Sequence, residues 1–284
     1  MSRLVLCADD YALTDGVSRA ILELLASRRI SATGAMTSRP GWKGWAAPLL
    51  VYADVADLGV HLNLTCAAPL GSMPNLCREG RFPGLRTVIR AALTSAAARD
   101  EIAREIARQL AAFEDATGRA PDFIDGHQHV HAMPGVRSLL LDAVARRYAP
   151  GSLYIRDPAD SIAAIRNRGV AVPKALVIAA LSRGFGSAAR KRGFPVNAGF
   201  SGISPFDPAR DFARDLERFV IAPGPRHLMM CHPGFVDDEL RALDPVVETR
   251  MQEFEVLRHG ALPGGFQPAR FSQLVTLPGG AAVA

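Results

Sequence analysis

Cysteine pairs and phosphate-binding glycine motifs are both missing from this 284-residue sequence. The four cysteines stand at positions 7, 66, 77 and 231. They lack the close-paired spacing of a zinc site, so reduced thiols are the simplest interpretation, with Cys7 and Cys231 buried on strands. The first predicted strand lacks the G-x-G-x-x-G turn, and no P-loop occurs. These absences disfavour dinucleotide-binding and P-loop folds.

Long apolar runs are missing as well. No segment approaches the ~20 apolar residues that a membrane-spanning helix needs. The apolar run near the N-terminus, Leu4–Ala8, is too short for a signal peptide. We therefore expect a cytoplasmic protein without stable membrane insertion.

Positive charge is not concentrated enough to indicate a nucleic-acid partner. The net charge is +5, but Lys and Arg are spread over many predicted helices, and the only dense run is 190–192. We predict no nucleic-acid binding. The mixture of Leu, Ile and Phe with basic residues over Lys174–Arg192 leaves peripheral membrane contact as an alternative to a solvated helix edge. A homodimer is also compatible with the sequence.

Short apolar runs that alternate with amphipathic patterns are abundant, and the 49% apolar content is ample for a core. Predicted strands cover 4–8, 30–37, 58–65, 123–124, 153–156, 227–231 and 271–277. After a first helix capped by Thr14 or Asp15, predicted helices cover 40–52, 100–117, 136–147, 174–185, 207–220 and 244–258. Residues 194–203 are predicted to be a glycine-rich connection. This alternation predicts a TIM-barrel-like (β/α) barrel in one domain, 1–284, with a doubly wound sheet as the alternative.

Polar residues stand at the carboxyl ends of several predicted strands. Asp9 and Asp10 end the first strand, and His232 follows the strand 227–231. In the third strand, alternation places His61 and Asn63 on one face and apolar residues on the other. Because a barrel brings its strand ends to one mouth, we expect these side chains to lie together.

The densest polar stretch is Asp125–His131, which contains three of the seven histidines of the chain. Side chains of an extended segment alternate, so Asp125, His127, His129 and His131 would project to one side for as long as the strand geometry lasts. Imidazole is the commonest protein metal ligand, and a neighbouring carboxylate can ligate the ion or orient a ligating ring. This pattern favours a metal or catalytic site over a polar surface loop.

Four motifs carry a family resemblance: ADDY at 8–11, GVHLNLT at 59–65, DGHQHVH at 125–131 and CHPG at 231–234. In order and spacing they resemble the YdjC-like carbohydrate deacetylases, a family that includes deacetylases of chitooligosaccharides and of hopanoid biosynthesis. The resemblance implies a distorted (β/α) barrel that binds one divalent metal ion, Mg or Zn, and removes acetyl groups from an N-acetylated carbohydrate.

The resemblance also implies roles for individual residues. Asp10, His61 and His127 match the metal ligands, Asp9 matches the catalytic base, and His232 matches a candidate general acid. The remaining candidates are assigned to substrate binding: Asn63, His129, His131 and Arg156. For the two histidines, orienting metal ligands is the alternative, and for the arginine it is pairing with a site carboxylate.

The sequence departs from the family pattern at two places. Ala12 stands where the family usually has Gly, and Cys66-Ala67-Ala68 replaces more polar or glycine-containing residues. Two other functions stay open. A metal-dependent phosphoesterase predicts several bridged metals and cationic phosphate ligands, and a non-catalytic carbohydrate- or metal-binding protein predicts binding without turnover.

Overall fold

The structure is a computed structural model that describes residues 2–274. Parallel strands form its centre: β1 (Arg3–Tyr11), β2 (Ala32–Ala35), β3 (Asp57–Leu62), β4 (Phe123–Gly126), β5 (Tyr154–Ile155), β6 (Phe200–Ser201) and β7 (Leu228–Cys231). A short strand, β8 (Gln267–Pro268), pairs with the first residues of β1.

The sheet curls until its two edges meet. Its hydrogen-bonded order is β5-β4-β3-β2-β1-β7-β6. β5 in turn pairs with the segment just before β6: the backbone N–H of Ile155 donates to the Pro195 carbonyl at 2.9 Å, and Ile155 pairs with Val196 in parallel. The strands therefore follow one another around a ring in chain order. The predicted (β/α) barrel is confirmed, and its two-residue strands β5 and β6 make it a distorted one.

Alternation along β1 divides its side chains between two environments. Leu4, Leu6 and Ala8 pack outward in a core shared with the helices. Val5 and Cys7 belong to a second core inside the barrel. The inward row continues to Asp9, so the period of the strand delivers this carboxylate to the barrel interior.

Aromatic rings close the barrel at the amino ends of its strands. Tyr154 stacks on Phe123 and on Phe271, with ring centroids 5.1 and 4.1 Å apart. Asp57 accepts hydrogen bonds from the Phe271 backbone at 2.7 Å and from Arg270 at 2.8 Å. This apolar plug leaves the carboxyl end as the open end.

Helices surround the barrel: α1 (Asp15–Ala26), α2 (Trp42–Leu50), α3 (Leu85–Thr94), α4 (Ala96–Thr117), α5 (Val136–Arg147), α6 (Ile162–Arg168), α7 (Val172–Leu181), α8 (Phe185–Lys191), α9 (Phe212–Phe219), α10 (Asp238–Leu243) and α11 (Glu248–His259). Thr14 caps α1 as predicted, since its hydroxyl accepts from the Val17 backbone at 3.3 Å. Gly118 ends α4 with φ 68°, in the left-handed region. Among the helices of residues 2–274, none combines the length and apolar character needed to cross a bilayer.

Several sequence expectations were wrong. The predicted last strand, 271–277, is a short 3-10 helix over Phe271–Leu274, and its remainder lies outside the described residues. The predicted connection 194–203 contains β6. The helix predicted from Asp207 begins at Phe212, because Asp211 caps it by accepting from the Ala213 backbone at 2.9 Å. Helices α3, α6, α8 and α10 were not predicted. Cys7 and Cys231 are buried free thiols on strands, as expected.

Candidate metal centre and active site

The end of β1 supplies two adjacent carboxylates to one cavity. Asp9 continues the inward row of the strand and is 3% exposed. Asp10 has a backbone φ of 71°, in the left-handed region, and the pairing with β2 shifts register between Ala8 and Tyr11. This irregularity lets two consecutive side chains line the same cavity, which a regular strand would not allow.

Asp10, His61 and His127 bring three potential metal ligand atoms together. Asp10 Oδ1 lies 3.2 Å from His61 Nε2 and 2.9 Å from His127 Nδ1. One potential ligand atom from each residue lies within 4.8 Å of the other two. One carboxylate oxygen and two imidazole nitrogens are a common donor set for divalent cations. The fold therefore places the three predicted ligands where a single ion could contact all of them.

Asp125 orients the imidazole of His61. His61 Nδ1 lies 2.7 Å from Asp125 Oδ1 in a fully buried pair. Burial lowers the pKa of His61, but the negative charges of Asp125 and Asp9 outweigh this effect and raise it to about 10. A metal ion at Nε2 would replace a proton there, because a ligating imidazole is neutral. The bond at Nδ1 leaves Nε2 directed at Asp10.

Arg250 and Asp244 hold Asp10 from the other side. Arg250 Nη2 donates to Asp10 Oδ2 at 2.7 Å and to Asp244 Oδ2 at 3.3 Å. Asp244 Oδ2 lies 3.8 Å from His127 Nε2. Burial opposes ionisation of Asp10, yet the charges of His127 and Arg250 hold its pKa well below the usual range. The Asp10 side chain is therefore ionised, which is the form in which a carboxyl group binds a metal ion.

Arg156 links Asp9 to Asp125 beneath the cavity. Its guanidinium donates to the two oxygens of Asp9 at 2.7 and 2.5 Å, contacts Cys7 Sγ at 3.1 Å and also pairs with Asp125. Burial raises the pKa of Asp9, although the charge of Arg156 opposes that rise. Arg156 is completely buried and does not line the cavity. The geometry favours pairing with site carboxylates over substrate contact.

His232 reaches the cavity next to Asp9. Its Nε2 lies 3.9 Å from Asp9 Oδ2, and its ring meets that of Phe206 edge-on, with centroids 5.0 Å apart. Its backbone N–H donates to Glu253 Oε2 at 2.5 Å. Burial lowers the pKa of His232 well below the usual range and raises that of Glu253 to about 7. A neutral imidazole beside a carboxylate can receive a proton and pass it on.

The alternation predicted for Asp125–His131 is wrong beyond Gly126. Strand β4 ends there, and His127–Ala132 form a 3-10 turn. Gln128 and His129 have φ values of 52° and 57°. Two consecutive left-handed residues reorient the chain, so the three histidines cannot share one face of a strand.

The three histidines of this segment consequently have different surroundings. His127 alone joins the predicted metal ligands. His129 lines the cavity and meets Phe200 edge-on, with ring centroids 5.7 Å apart. His131 Nε2 lies 2.8 Å from the Arg156 carbonyl, outside the cavity lining, and burial lowers its pKa to about 4. Substrate contact therefore stays a prediction for His129, and for His131 the geometry favours support of the segment.

Asn63 also lies outside the cavity lining. Its Nδ2 donates to Ser38 Oγ at 2.9 Å and to the Cys66 carbonyl at 2.7 Å. Its Oδ1 accepts from the backbones of Thr65 and Cys66 at 3.1 and 2.9 Å. The amide is thus used in holding the loop after β3, which favours a structural role over the predicted substrate contact.

Sequence reasoning missed the contributions of the C-terminal part of the chain. Arg250 and Glu253 come from α11, and Asp244 precedes that helix. One signal was present, because residues 250, 253, 254 and 257 share one helical face that mixes charge with apolar side chains. A charged pair on a core-facing stripe indicates a buried polar site.

A cavity of about 610 Å³ has a largely apolar upper wall and a polar floor, which is formed by Asp9, Asp10, His61, His127, His232, Asp244 and Arg250. The wall includes Leu85, Met133, Val177, Leu181, Phe206 and Val246. Lys174 also lines it, with Nζ 4.0 Å from the Phe206 ring centre and donating to the Ser204 carbonyl at 2.9 Å. Burial lowers the pKa of Lys174 to about 8. The volume is in the range of small-molecule sites.

Known proteins resemble this chain in sequence or in fold. Chitooligosaccharide deacetylase from Klebsiella pneumoniae (strain 342) is 29% identical over 262 residues, 91% of this chain and 92% of the relative. The Serratia marcescens chitooligosaccharide deacetylase is 35% identical over 137 residues, 48% of this chain and 53% of the relative. A crystal structure from Enterococcus faecalis V583, of a proposed cellobiose-phosphate cleavage protein, superimposes with a TM-score of 0.73 at 22% identity, covering 97% of this chain and 99% of that one.

The sequence model of one family extends over nearly the whole barrel. That family is described as YdjC-like protein, and its model matches residues 3–265. The match includes all four motifs on which the resemblance was based. The chain therefore belongs to the YdjC-like protein family.

Proposed function

We propose that the protein is a metal-dependent hydrolase that removes the acetyl group from an N-acetylated sugar. The observation that carries this proposal is the convergence in one cavity of donor atoms from Asp10, His61 and His127 with the acid–base pair Asp9 and His232. Membership of the YdjC-like family and similarity to chitooligosaccharide deacetylases support the choice of reaction.

The donor set suits one divalent ion, Mg or Zn. Two imidazoles and one carboxylate leave coordination positions open, as in catalytic sites. The hydrogen bond from His61 to Asp125 fixes one ring, and Arg250 fixes the carboxylate of Asp10. When bound, the ion supplies Lewis acidity, which polarises the acetyl carbonyl and acidifies water.

The side chains of Asp9 and His232 supply the proton transfers of amide hydrolysis. Asp9 is a competent base, because burial raises its pKa and Arg156 holds both of its oxygens. The attacking water gives a proton to Asp9 as the new C–O bond forms. His232, with Nε2 3.9 Å from Asp9, receives this proton from Asp9 and passes it to the sugar nitrogen as the C–N bond breaks. The products are acetate and a free amino sugar.

The cavity shape constrains how a substrate can enter. An acetamido group must reach the polar floor, while the rest of the molecule lies against apolar side chains such as Leu85 and Val177. The apolar faces of sugar rings in a chitooligosaccharide suit this wall, as does the lipid part of an acetamido-sugar glycolipid such as a hopanoid glycoside. Both classes belong in a substrate panel.

A phosphoesterase has less support. The other cluster of possible metal ligands in residues 2–274 is formed by Cys7, Asp9 and Asp125. The guanidinium of Arg156 already contacts all three of these side chains. A second, bridged cation would have to displace this buried arginine.

The test is acetate release from a panel of N-acetylated sugars and sugar lipids. Metal-stripped protein is resupplied in turn with Mg, Mn, Co, Ni or Zn. We expect release that depends on the metal and falls about 100-fold or more in Asp9→Asn, which removes the base. His127→Ala should lose both acetate release and metal binding.

The matched control is His259→Ala, since the His259 side chain is 70% exposed on α11. This variant should keep the activity of the natural sequence. Tight metal binding without acetate release from any substrate would favour the non-catalytic binding protein. Phosphate release from a phosphoester panel would replace the proposal by the phosphoesterase.

A further inference from the structure

One segment concentrates the positive charge of the chain. Residues 162–192 contain seven Lys or Arg residues and no Asp or Glu, more positive charge than the net +5 of the whole sequence. Arg168 and Arg192 are engaged with Asp160 and Asp142. The side chains of Arg166, Arg183 and Lys191 are exposed and make no ion pair within residues 2–274. This part of the surface is therefore strongly basic.

The same segment turns apolar side chains to solvent. Of the ten residues of α7, only Lys174 is charged. Pro173 and Val177 are exposed, with Val177 58% accessible, and Ile162 on the adjacent α6 is 57% accessible. Large aliphatic side chains this exposed commonly mark an interaction surface when they cluster. We call Ile162, Pro173 and Val177, with the basic residues Arg183 and Lys191, the α7 surface.

The α7 surface reaches the cavity through Pro173 and Val177. Pro173, Val177 and Leu181 recur at four-residue spacing along one stripe of the helix and line the cavity wall. The buried residues of α7 are Ala175 and Ile178, and Ile178 lines the cavity as well. Whatever covers the exposed stripe therefore also faces the entrance of the site.

From this arrangement we infer that the α7 surface docks onto an anionic lipid bilayer, with the cavity mouth facing the membrane. Exposed aliphatic side chains, in one segment with Lys and Arg that make no ion pair within residues 2–274, suit the boundary between acyl chains and anionic headgroups. A second copy of the chain would bring the same positive charge against itself. A nucleic acid would match the charge but leave the apolar stripe without a partner.

The experiment measures cosedimentation of the whole protein with phosphatidylglycerol vesicles and with phosphatidylcholine vesicles. Binding should be selective for phosphatidylglycerol and should weaken as salt is raised. Val177→Asp should lower the vesicle affinity about tenfold or more, and Arg183→Glu combined with Lys191→Glu should do the same. Vesicle binding does not depend on acetate release, so the outcome is separate from that of the proposed deacetylation.

The matched control variants carry the same types of substitution at exposed positions outside the α7 surface. Val51→Asp alters a valine that is 76% exposed at the end of α2. Arg99→Glu combined with Arg104→Glu reverses two exposed charges on α4. Both controls should bind vesicles as the natural sequence does. Absence of binding to phosphatidylglycerol, equal binding to both lipids, equal losses in the control variants, or a dimer that buries Val177 would each overturn the inference.

Discussion

The two ends of the barrel use the same strand alternation for opposite purposes. At the amino end, inward positions carry Phe123 and Tyr154, and Tyr154 stacks on both Phe123 and Phe271 in an aromatic plug. At the carboxyl end, inward positions carry charged groups such as Asp9 and Arg156, equally buried but held by ion pairs. Burial of aromatic surface stabilises the fold, whereas burial of a charge has a desolvation cost that only a retained partner offsets. The carboxyl end is therefore less stabilising than the amino end, but it contains groups whose pKa values are shifted from their usual range.

Removing the arginine that pairs with the buried carboxylates at the carboxyl end should have the largest effect on stability. Arg156→Met would leave Asp9 and Asp125 buried without their common partner, so we expect the free energy of unfolding to fall by about 3 to 5 kcal/mol. Urea denaturation at pH 7 measures this change. The matched control is Arg147→Met, because Arg147 pairs with Glu114 near the surface. Its loss should be below about 1 kcal/mol. Similar losses in the two variants would contradict the comparison.

Breaking the aromatic end should reduce stability without touching the chemistry. Phe271→Ala removes a ring that stacks on Tyr154 and closes the barrel, and we expect a loss of about 3 kcal/mol in the free energy of unfolding. Acetate release per folded molecule should stay at the level of the natural sequence. A large drop in activity at full folding would show that the plug and the site are coupled.

Predictions from the sequence were most reliable where the spacing of polar and apolar residues matches the alternation of a strand. The alternation over 58–65 separated His61 from Val60 and Leu62, which pack outward as expected. Because the carboxyl ends of the strands meet at one mouth of the barrel, His61 lies next to Asp10. The prediction failed in Asp125–His131, where two left-handed residues end the strand period, and neither residue type signals that turn.

Other parts of the site depend on long-range packing that local patterns do not contain. Arg250 lies 240 residues from its partner Asp10 and reaches it from α11. The strand β6 has only two residues, so it offers no period to detect. Its place is fixed by pairing of Phe200 with Leu228 of the next strand. Such features follow from closure of the barrel and become visible only in three dimensions.

Buried histidines at the two ends of the barrel have pKa values shifted in opposite directions, which predicts a pH dependence of the stability. His227, at the amino end of β7, bonds to Ser201 Oγ at 2.8 Å and accepts from the Gly224 backbone at 3.2 Å. Burial lowers its pKa to about 4, below the unfolded value of 6.5. Its stabilising contribution is therefore present above pH 6.5 and is lost as pH falls toward 4. At pH 5 the loss should be about 2 kcal/mol.

Denaturation of the natural sequence and of His227→Gln at pH 7.5 and pH 5 isolates this contribution. The natural sequence should lose more stability than the variant between the two pH values. An equal loss in both proteins would assign the acid sensitivity to other groups. His61 shows the contrast, because neighbouring carboxylates at the carboxyl end raise its pKa to about 10 despite burial.

The smallest expected effect compares the two ends of a single strand. Asp125, at the carboxyl end of β4, orients His61, whereas Asp122, just before its amino end, accepts from the Leu58 backbone at 2.9 Å. Asp125→Asn should weaken binding of a divalent metal about tenfold, because the amide fixes the imidazole less well. Asp122→Asn should leave the affinity unchanged. Calorimetric titration of metal-stripped protein with Zn or Mn measures both variants without any substrate. Equal affinities in the two variants would mean that His61 is held in place without the Asp125 carboxylate, and metal binding at the carboxyl end of the barrel would then depend on Asp10 and His127.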